Sequence, residues 1–188
     1  MKKIILAAAV ALLSFAANAQ EGKFAYVSFE ELVMLMPEMD EARAVLEENT
    51  KTNEEILSAM YEEYQTKVQQ YEQKSSTWTA AVLEVKQREI VDIEQRIQQT
   101  QQSLQQEIQA LQQNLQAPIV EKANKVISEL GKAKGVVAVM DKSVFLYMDP
   151  AQMIDLTAEA RVALNIPEGR TMETLYAEMR AKNQAAQK

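Results

Sequence analysis

The chain has 188 residues, 47% of them apolar, with 20 basic and 27 acidic side chains, four Gly, four Pro, ten Met and neither His nor Cys. Lacking His and Cys, it can build no zinc site of the usual kind, no thiol nucleophile, no disulfide and no Ser–His or Cys–His pair. Neither G-x-x-x-x-G-K nor G-x-G-x-x-G occurs, and so little Gly and Pro favours long uninterrupted helices over catalytic loops.

Met1-Lys2-Lys3 is a positive start, Ile4 to Phe15 is apolar except for Ser14, and Ala17-Asn18-Ala19 has the small-x-small form of a cleavage site. This predicts a secretory signal peptide over 1–19, because about 12 apolar residues fall short of the roughly 20 that span a bilayer. Loss of that segment takes two lysines with it. The mature chain then carries 18 basic against 27 acidic residues, a net charge of −9 over 169 residues. Such a surface repels nucleic acid and anionic lipid at long range.

Lys23-Phe24-Ala25-Tyr26-Val27 is aromatic and β-branched, which predicts a strand. Ser28 and Glu31 form an S-x-x-E capping box that should open a short helix through Met36. Pro37 ends that helix and can sit in the first turn of the next, where Glu38, Asp40 and Glu41 favour the positive end.

From Glu38 to about Ser75 nothing breaks a helix, which would be roughly 55 Å long. Ala42, Leu46, Asn49, Asn53, Ile56, Met60, Tyr64, Val68 and Tyr71 recur in steps of three or four, a narrow coiled-coil-like stripe. Lys74-Ser75-Ser76-Thr77-Trp78-Thr79 interrupts it with hydroxyl residues suited to a turn. A second stripe follows through Val82, Val85, Ile90, Ile93, Ile97, Leu104, Ile108, Leu111, Leu115 and Ile119. A fold-back near Thr77 sets Tyr64 opposite Ile90, Ile56 opposite Ile97, Asn49 opposite Leu104 and Leu46 opposite Ile108. The expectation is an antiparallel helical hairpin, with a single continuous helix as the alternative.

Gln95 to Gln116 holds eleven glutamines with only Arg96 and Glu107 charged, which at helical spacing reads as a solvated face. Pro118 should kink or interrupt the second helix, and Gly131 should cap its end beside Lys132 and Lys134. Val136 to Met140 and Val144 to Met148 read as a hairpin of strands buried on both faces, joined by Asp141-Lys142-Ser143. Asp149-Pro150 should then open a helix carrying Met153, Ile154, Thr157, Ala160 and Leu164. Asn165 to Gly169 stops it, and a last weak helix from about Met172 to Lys182 should turn Leu175, Tyr176 and Met179 inward.

The organisation expected is α+β: a strand-bearing body from 20–37 and 118–165, a helical-hairpin arm over 38–117, and a tail with a weak helix over 166–188. Three short apolar strands cannot close a core or hide their edges alone. Oligomerisation through Phe24, Tyr26, Val137, Val139, Phe145 and Tyr147 is the remedy.

The residues also carry a family resemblance. Lys23 to Val27 leading into Leu32, Met36 and Pro37 resembles the front of the Skp (OmpH) family of periplasmic chaperones. So do Gln87-Arg88-Glu89, Gln95-Arg96-Ile97-Gln98, Leu115-Gln116-Ala117-Pro118-Ile119, and Val136 to Asp141 followed by Val144 to Pro150. The resemblance runs from about Lys23 to Leu164. It implies a jellyfish-like homotrimer: strands form the central body, and three hairpin arms enclose a cavity for unfolded outer-membrane β-barrel proteins. It implies a holdase that uses no nucleotide or other cofactor. The acidic balance departs from the basic members of that family, so no lipopolysaccharide site is carried over.

Met60, Tyr61, Tyr64, Tyr71 and Trp78 are the candidate client contacts, since Met and aromatic side chains adapt to varied apolar surfaces. Met60, Tyr64 and Tyr71 can equally fill the seam of the arm. Two other readings compete with the chaperone. One is a structural coiled-coil spacer or adaptor of the cell envelope. The other is a carboxylate enzyme built on Glu54-Glu55 and Glu62-Glu63, which on an exposed helix are more simply a solvated face.

Overall fold

The computed structural model describes residues 23–186, so the expected signal peptide lies outside the described residues. Strand β1 (Phe24–Val27) leads into α1 (Phe29–Leu35) and then the long helix α2 (Pro37–Lys74). A 3-10 turn over Ser75–Thr77 precedes α3 (Ala80–Lys134). Strand β2 (Ala138–Asp141), a second 3-10 turn (Lys142–Val144), β3 (Met153–Asp155), α4 (Thr157–Ala163) and α5 (Met172–Ala186) complete the chain. Contacts divide it into two units. One comprises the chain up to Leu35 together with Lys122 onward, the other Met36–Glu121.

The first unit is built on a three-stranded sheet of order β2-β1-β3 in which both pairings are parallel. Phe24 lies opposite Ala138 and Met153, and Tyr26 opposite Met140 and Asp155. Val137 N–H donates to the Lys23 carbonyl at 2.8 Å and Leu156 N–H to the Tyr26 carbonyl at 2.9 Å, extending the ladders at opposite ends. Ala25 and Val27 alternate with Phe24 and Tyr26, and both are fully or nearly fully buried.

This sheet replaces the expected strand hairpin. Only the first apolar run forms a strand. Val144 to Met148 does not pair, and the third strand comes from Met153 to Asp155, where a helix was expected. The physical cause is Asp141. Its Oδ1 accepts from Ser143 N–H at 2.6 Å and its Oδ2 from Phe29 N–H at 3.0 Å, so the chain leaves β2 in a 3-10 turn rather than a hairpin turn. Asp141 thereby caps α1 from across the sheet. The expected Ser28–Glu31 box does not form: Ser28 N–H donates to Thr157 Oγ1 at 3.1 Å, and Glu31 pairs with Arg161 at 3.1 Å. The next helix begins only at Thr157, whose N–H is taken by Asp155 Oδ1 at 2.8 Å.

The end of α3 supplies another correction. Gly131 lies inside the last turn and Gly135, at φ 64°, is the cap: Gly135 N–H bonds the Lys132 carbonyl and Val136 N–H the Gly131 carbonyl, both at 3.1 Å. That is the paired arrangement of a left-handed helix stop. Gly131 has a different role, because a Cβ there would lie 2.8 Å from Val139 Cγ2. Helix and sheet approach closely at that point because glycine has no side chain.

The second unit is an antiparallel helical hairpin. Asn49 Nδ2 donates to Glu107 Oε1 at 3.4 Å and Lys67 Nζ to Glu89 Oε2 at 3.1 Å, fixing the register within a turn of that expected. Lys86 shares Glu89 at 2.8 Å, and the two ammonium groups hold its carboxyl below the usual range, Lys86 contributing most. The seam also holds Asn53, 7% exposed, donating to Asn49 Oδ1 at 3.0 Å. Helix α3 runs through Pro118 unbroken. The proline ring and Asn114, whose carbonyl loses its partner, are both exposed, so water can satisfy the freed group.

The Asp141 caps make a testable statement about the body. Burial raises its pKa, but the hydrogen bonds from Ser143, Phe29 and Glu30 outweigh this and the carboxyl sits below its ordinary value. Asp155 is lowered in the same way by Thr157 and Tyr26. A depressed carboxyl contributes stability above its unfolded pKa of about 3.9 and loses it as pH falls through the folded value. Asp141→Asn keeps one acceptor oxygen where two are used, so unfolding by urea at pH 7 should show a loss of about 1–3 kcal/mol. The difference should persist to about pH 4 and shrink only as pH falls further, through the lowered folded value.

Candidate assembly and client-binding surfaces

Six side chains are expected to join copies, and the structure separates them. Phe24, Val137 and Tyr147 are exposed, Val137 at 69% and Tyr147 at 84%. Phe145 is half-buried. Val139 is also half-buried and faces Gly131 within the chain. Tyr26 is buried, and its hydroxyl donates to the Asp155 carboxylate opposite it in the sheet. Burial first, then the Asp155 charge and hydrogen bond, push the Tyr26 phenol above its ordinary pKa. Tyr26 is thus held within its own sheet.

Two residues that were read as buried strand positions stand out instead. Leu146 is fully exposed and Val144 is 66% exposed. With Phe24, Val137 and Tyr147 they give the body a large unpartnered apolar complement. Among the described residues strands β2 and β3 each pair on one side only, so both are edges of the sheet. The signal for Val144 to Met148 was present in the chain as a continuous apolar run. Neither the strand nor its burial forms, because the run finds no pairing partner among the described residues of a single chain.

On the hairpin, Met60, Tyr64 and Tyr71 are half-buried along the seam. Tyr61 is exposed, and its hydroxyl accepts from Gln101 Nε2 at 2.9 Å on the opposite helix. Trp78 lies at the turn with its ring edge-on to Tyr71, the centroids 6.0 Å apart. The turn is therefore a small aromatic cluster rather than a set of free side chains, an arrangement that contributes about 0.5–1.5 kcal/mol beyond burial.

Three expected seam residues lie outside it. Ile56, Val82 and Val85 are exposed, while their neighbours Leu57 and Leu83 are half-buried. A helix turn of 3.6 residues lets the stripe pass through either neighbour, and the sequence spacing alone does not choose. Val45 and Val91 are exposed as well. The hairpin thus carries isolated branched apolar side chains on a surface otherwise made of Gln, Glu and Lys. Among the described residues no group of acidic side chains could hold a metal ion, and no helix is long and apolar enough to cross a membrane.

Three comparisons bear on this arrangement. The family model described as Outer membrane protein (OmpH-like) matches residues 23–164. A solved structure from Caulobacter crescentus CB15, of a protein assigned as an OmpH-like outer membrane chaperone, has the same fold. Its TM-score is 0.69 at 17% identity, over 77% of this chain and 84% of that chain. None of the curated proteins matches. The family match takes in β1, the hairpin, all three strands and α4, ending at Leu164. The chain belongs to the OmpH-like outer membrane protein family.

Proposed function

We propose that this protein is a periplasmic holdase chaperone that assembles as a homotrimer and keeps unfolded outer-membrane β-barrel proteins soluble between its helical arms without nucleotide. The observation that carries the reading is the exposed apolar complement of the body, Phe24, Val137, Val144, Leu146 and Tyr147, beside two unpaired strand edges. Fully covering a side chain of this kind contributes about 1.5–3 kcal/mol, and a single chain leaves all five wet. Family membership and the likeness to an OmpH-like chaperone favour the same assembly. The cleavable leader expected over 1–19 would place it in the periplasm.

The hairpin suits the arm of a holdase because its two helices pack on each other within one chain. Their seam is closed within one chain by Ile93, Ile97, Asn53 and the Lys67–Glu89 pair. Branched and aromatic side chains on their surface then remain for clients. Ile56, Tyr61, Val82, Val85 and Val91 meet that description, with Met60, Tyr64, Tyr71 and Trp78 reachable only at their edges. With a mature charge of −9, burial of apolar client surface must supply most of the affinity.

Three outcomes are expected. Leu146→Asp with Tyr147→Asp charges side chains that touch little within one chain. Sedimentation should show monomers whose helical circular dichroism matches wild type, and a variant that remains trimeric would contradict the assembly surface. Replacing residues 50–106 by a short loop, at the point where Asn49 meets Glu107, should leave the trimer intact. The shortened protein should no longer suppress aggregation of a diluted, urea-unfolded barrel protein; retained protection would move the client site to the body. Finally, affinity for an acidic unfolded barrel protein should hold or rise slightly between about 50 and about 500 mM salt. A tenfold loss, roughly 1.4 kcal/mol, would instead mean that basic residues such as Lys122, Lys125, Lys132 and Lys134 dominate.

A further inference from the structure

The family match stops at Leu164, yet the chain continues in an ordered way. Helix α4 is stopped by Asn165, two residues past its end, which adopts φ 57°, with Asn165 N–H bonded to the Val162 carbonyl at 3.1 Å and Ile166 N–H to the Arg161 carbonyl at 2.9 Å. Ile166 is buried immediately after this stop. Gly169, at φ 77°, turns the chain again. Thr171 and Thr174 then cap α5 reciprocally, Thr171 N–H to Thr174 Oγ1 at 2.9 Å and Thr174 N–H to Thr171 Oγ1 at 3.2 Å. Each step of the path is specified locally.

The path leads α5 onto α1. Leu175 is 2% exposed, whereas Tyr176 and Met179, expected to turn inward, are both exposed. On α1, Leu32 and Leu35 are fully buried and Val33 nearly so. A helix of seven residues has no stability of its own in water and stands only while its apolar side chains are covered. Helix α4 covers part of α1, and α5 packs on it as well.

A polar chain ties the three helices together. Glu31 of α1 accepts from Arg161 of α4 at 3.1 Å, and the other Arg161 nitrogen donates to the Arg170 carbonyl. Arg170 in turn pairs with Glu178 of α5 at 2.7 Å. Arg161 is the junction, because one planar guanidinium serves both neighbours at once.

We infer that residues 165–186 are an in-chain strap, docked on α1 by Leu175 and held by Arg161, that keeps α1 folded on the body independently of assembly. The strap adds cover to the body from within a single chain and lies outside the part of the protein that defines its family. It gives α1 protection that does not depend on the concentration of other copies.

The test is amide hydrogen exchange on the full-length protein at pH 7, which reads each helix separately. Leu175→Asp should release α5 to coil-like exchange and speed exchange in α1 by about tenfold or more, while amides of 45–110 keep their wild-type rates. Arg161→Gln should move α5 and α1 in the same direction by a smaller factor, and it serves as the reading if Leu175→Asp does not accumulate folded protein. Tyr176→Asp, on the exposed side of α5, should change neither helix. Release of α5 with α1 protection unchanged would overturn the strap. An effect of Tyr176→Asp equal to that of Leu175→Asp would overturn the docking face, and no effect of Arg161→Gln would remove Arg161 from the mechanism. No client enters this experiment, so its outcome is independent of the proposed chaperone activity.

Discussion

Everything in the body depends on β1 being held in parallel from both sides. Four residues near the front of the described chain are clasped between strands that follow more than a hundred residues later. Parallel strands cannot be joined by a tight turn and need a crossover connection of a dozen residues or more. Between β1 and β2 that crossover is α1 and the entire helical hairpin. The long excursion is thus what a parallel β1–β2 pair permits, and the pairing brings both ends of the excursion back to one sheet. Each ladder bond is worth only about 1 kcal/mol net, so so few of them hold only with Ala25, Val27, Leu32 and Leu156 buried around them.

The same constraint creates the unsatisfied surface. With β1 saturated in the middle, β2 and β3 are both edges, and the apolar run from Val144 to Met148 has no strand left to join. Open edges of this kind are short, covered, charged or paired with another chain, and the proposed assembly of copies takes the last of these routes. The hairpin is the opposite case. Its seam is filled from one chain, partly by the polar Asn49–Asn53–Glu107 series, and such polar seam contacts fix register at some cost in stability. A body with open sheet edges and a hairpin whose seam closes within one chain are the two features on which the proposed chaperone reading rests.

Local signals in the chain read well. The first strand, the short helix ended by Pro37, the long stripe, the turn of hydroxyl residues and the fold-back all depend on neighbours within a few residues, and each is present. The expected register of the hairpin was within one turn of the Asn49–Glu107 and Lys67–Glu89 contacts. What could not be read was decided by distant residues. Asp141 looked like part of a hairpin turn, and only the fold brings Phe29 to its carboxylate. Met153 and Ile154 follow a proline-capped start that suits a helix, but the free side of β1 draws them into a strand. Gly131 looked like a helix stop and is instead the point where the helix admits Val139. Among the candidate site residues, Tyr26 lies opposite Asp155 in its own sheet, and among the expected seam residues Ile56 and Val82 differ from their half-buried neighbours by one position. Leu146 was legible as apolar and illegible as exposed, since exposure depends on which strand takes the last place in the sheet.

The central claim is that several copies of this chain hold one unfolded barrel protein in solution. Sedimentation velocity of the mature protein mixed with a labelled, urea-unfolded outer-membrane barrel protein, diluted into buffer without nucleotide, tests it most directly. The account predicts one soluble species in which the label travels with three chains and one client. Label lost to the pellet, or travelling apart from a protein that sediments as a single chain, would contradict it.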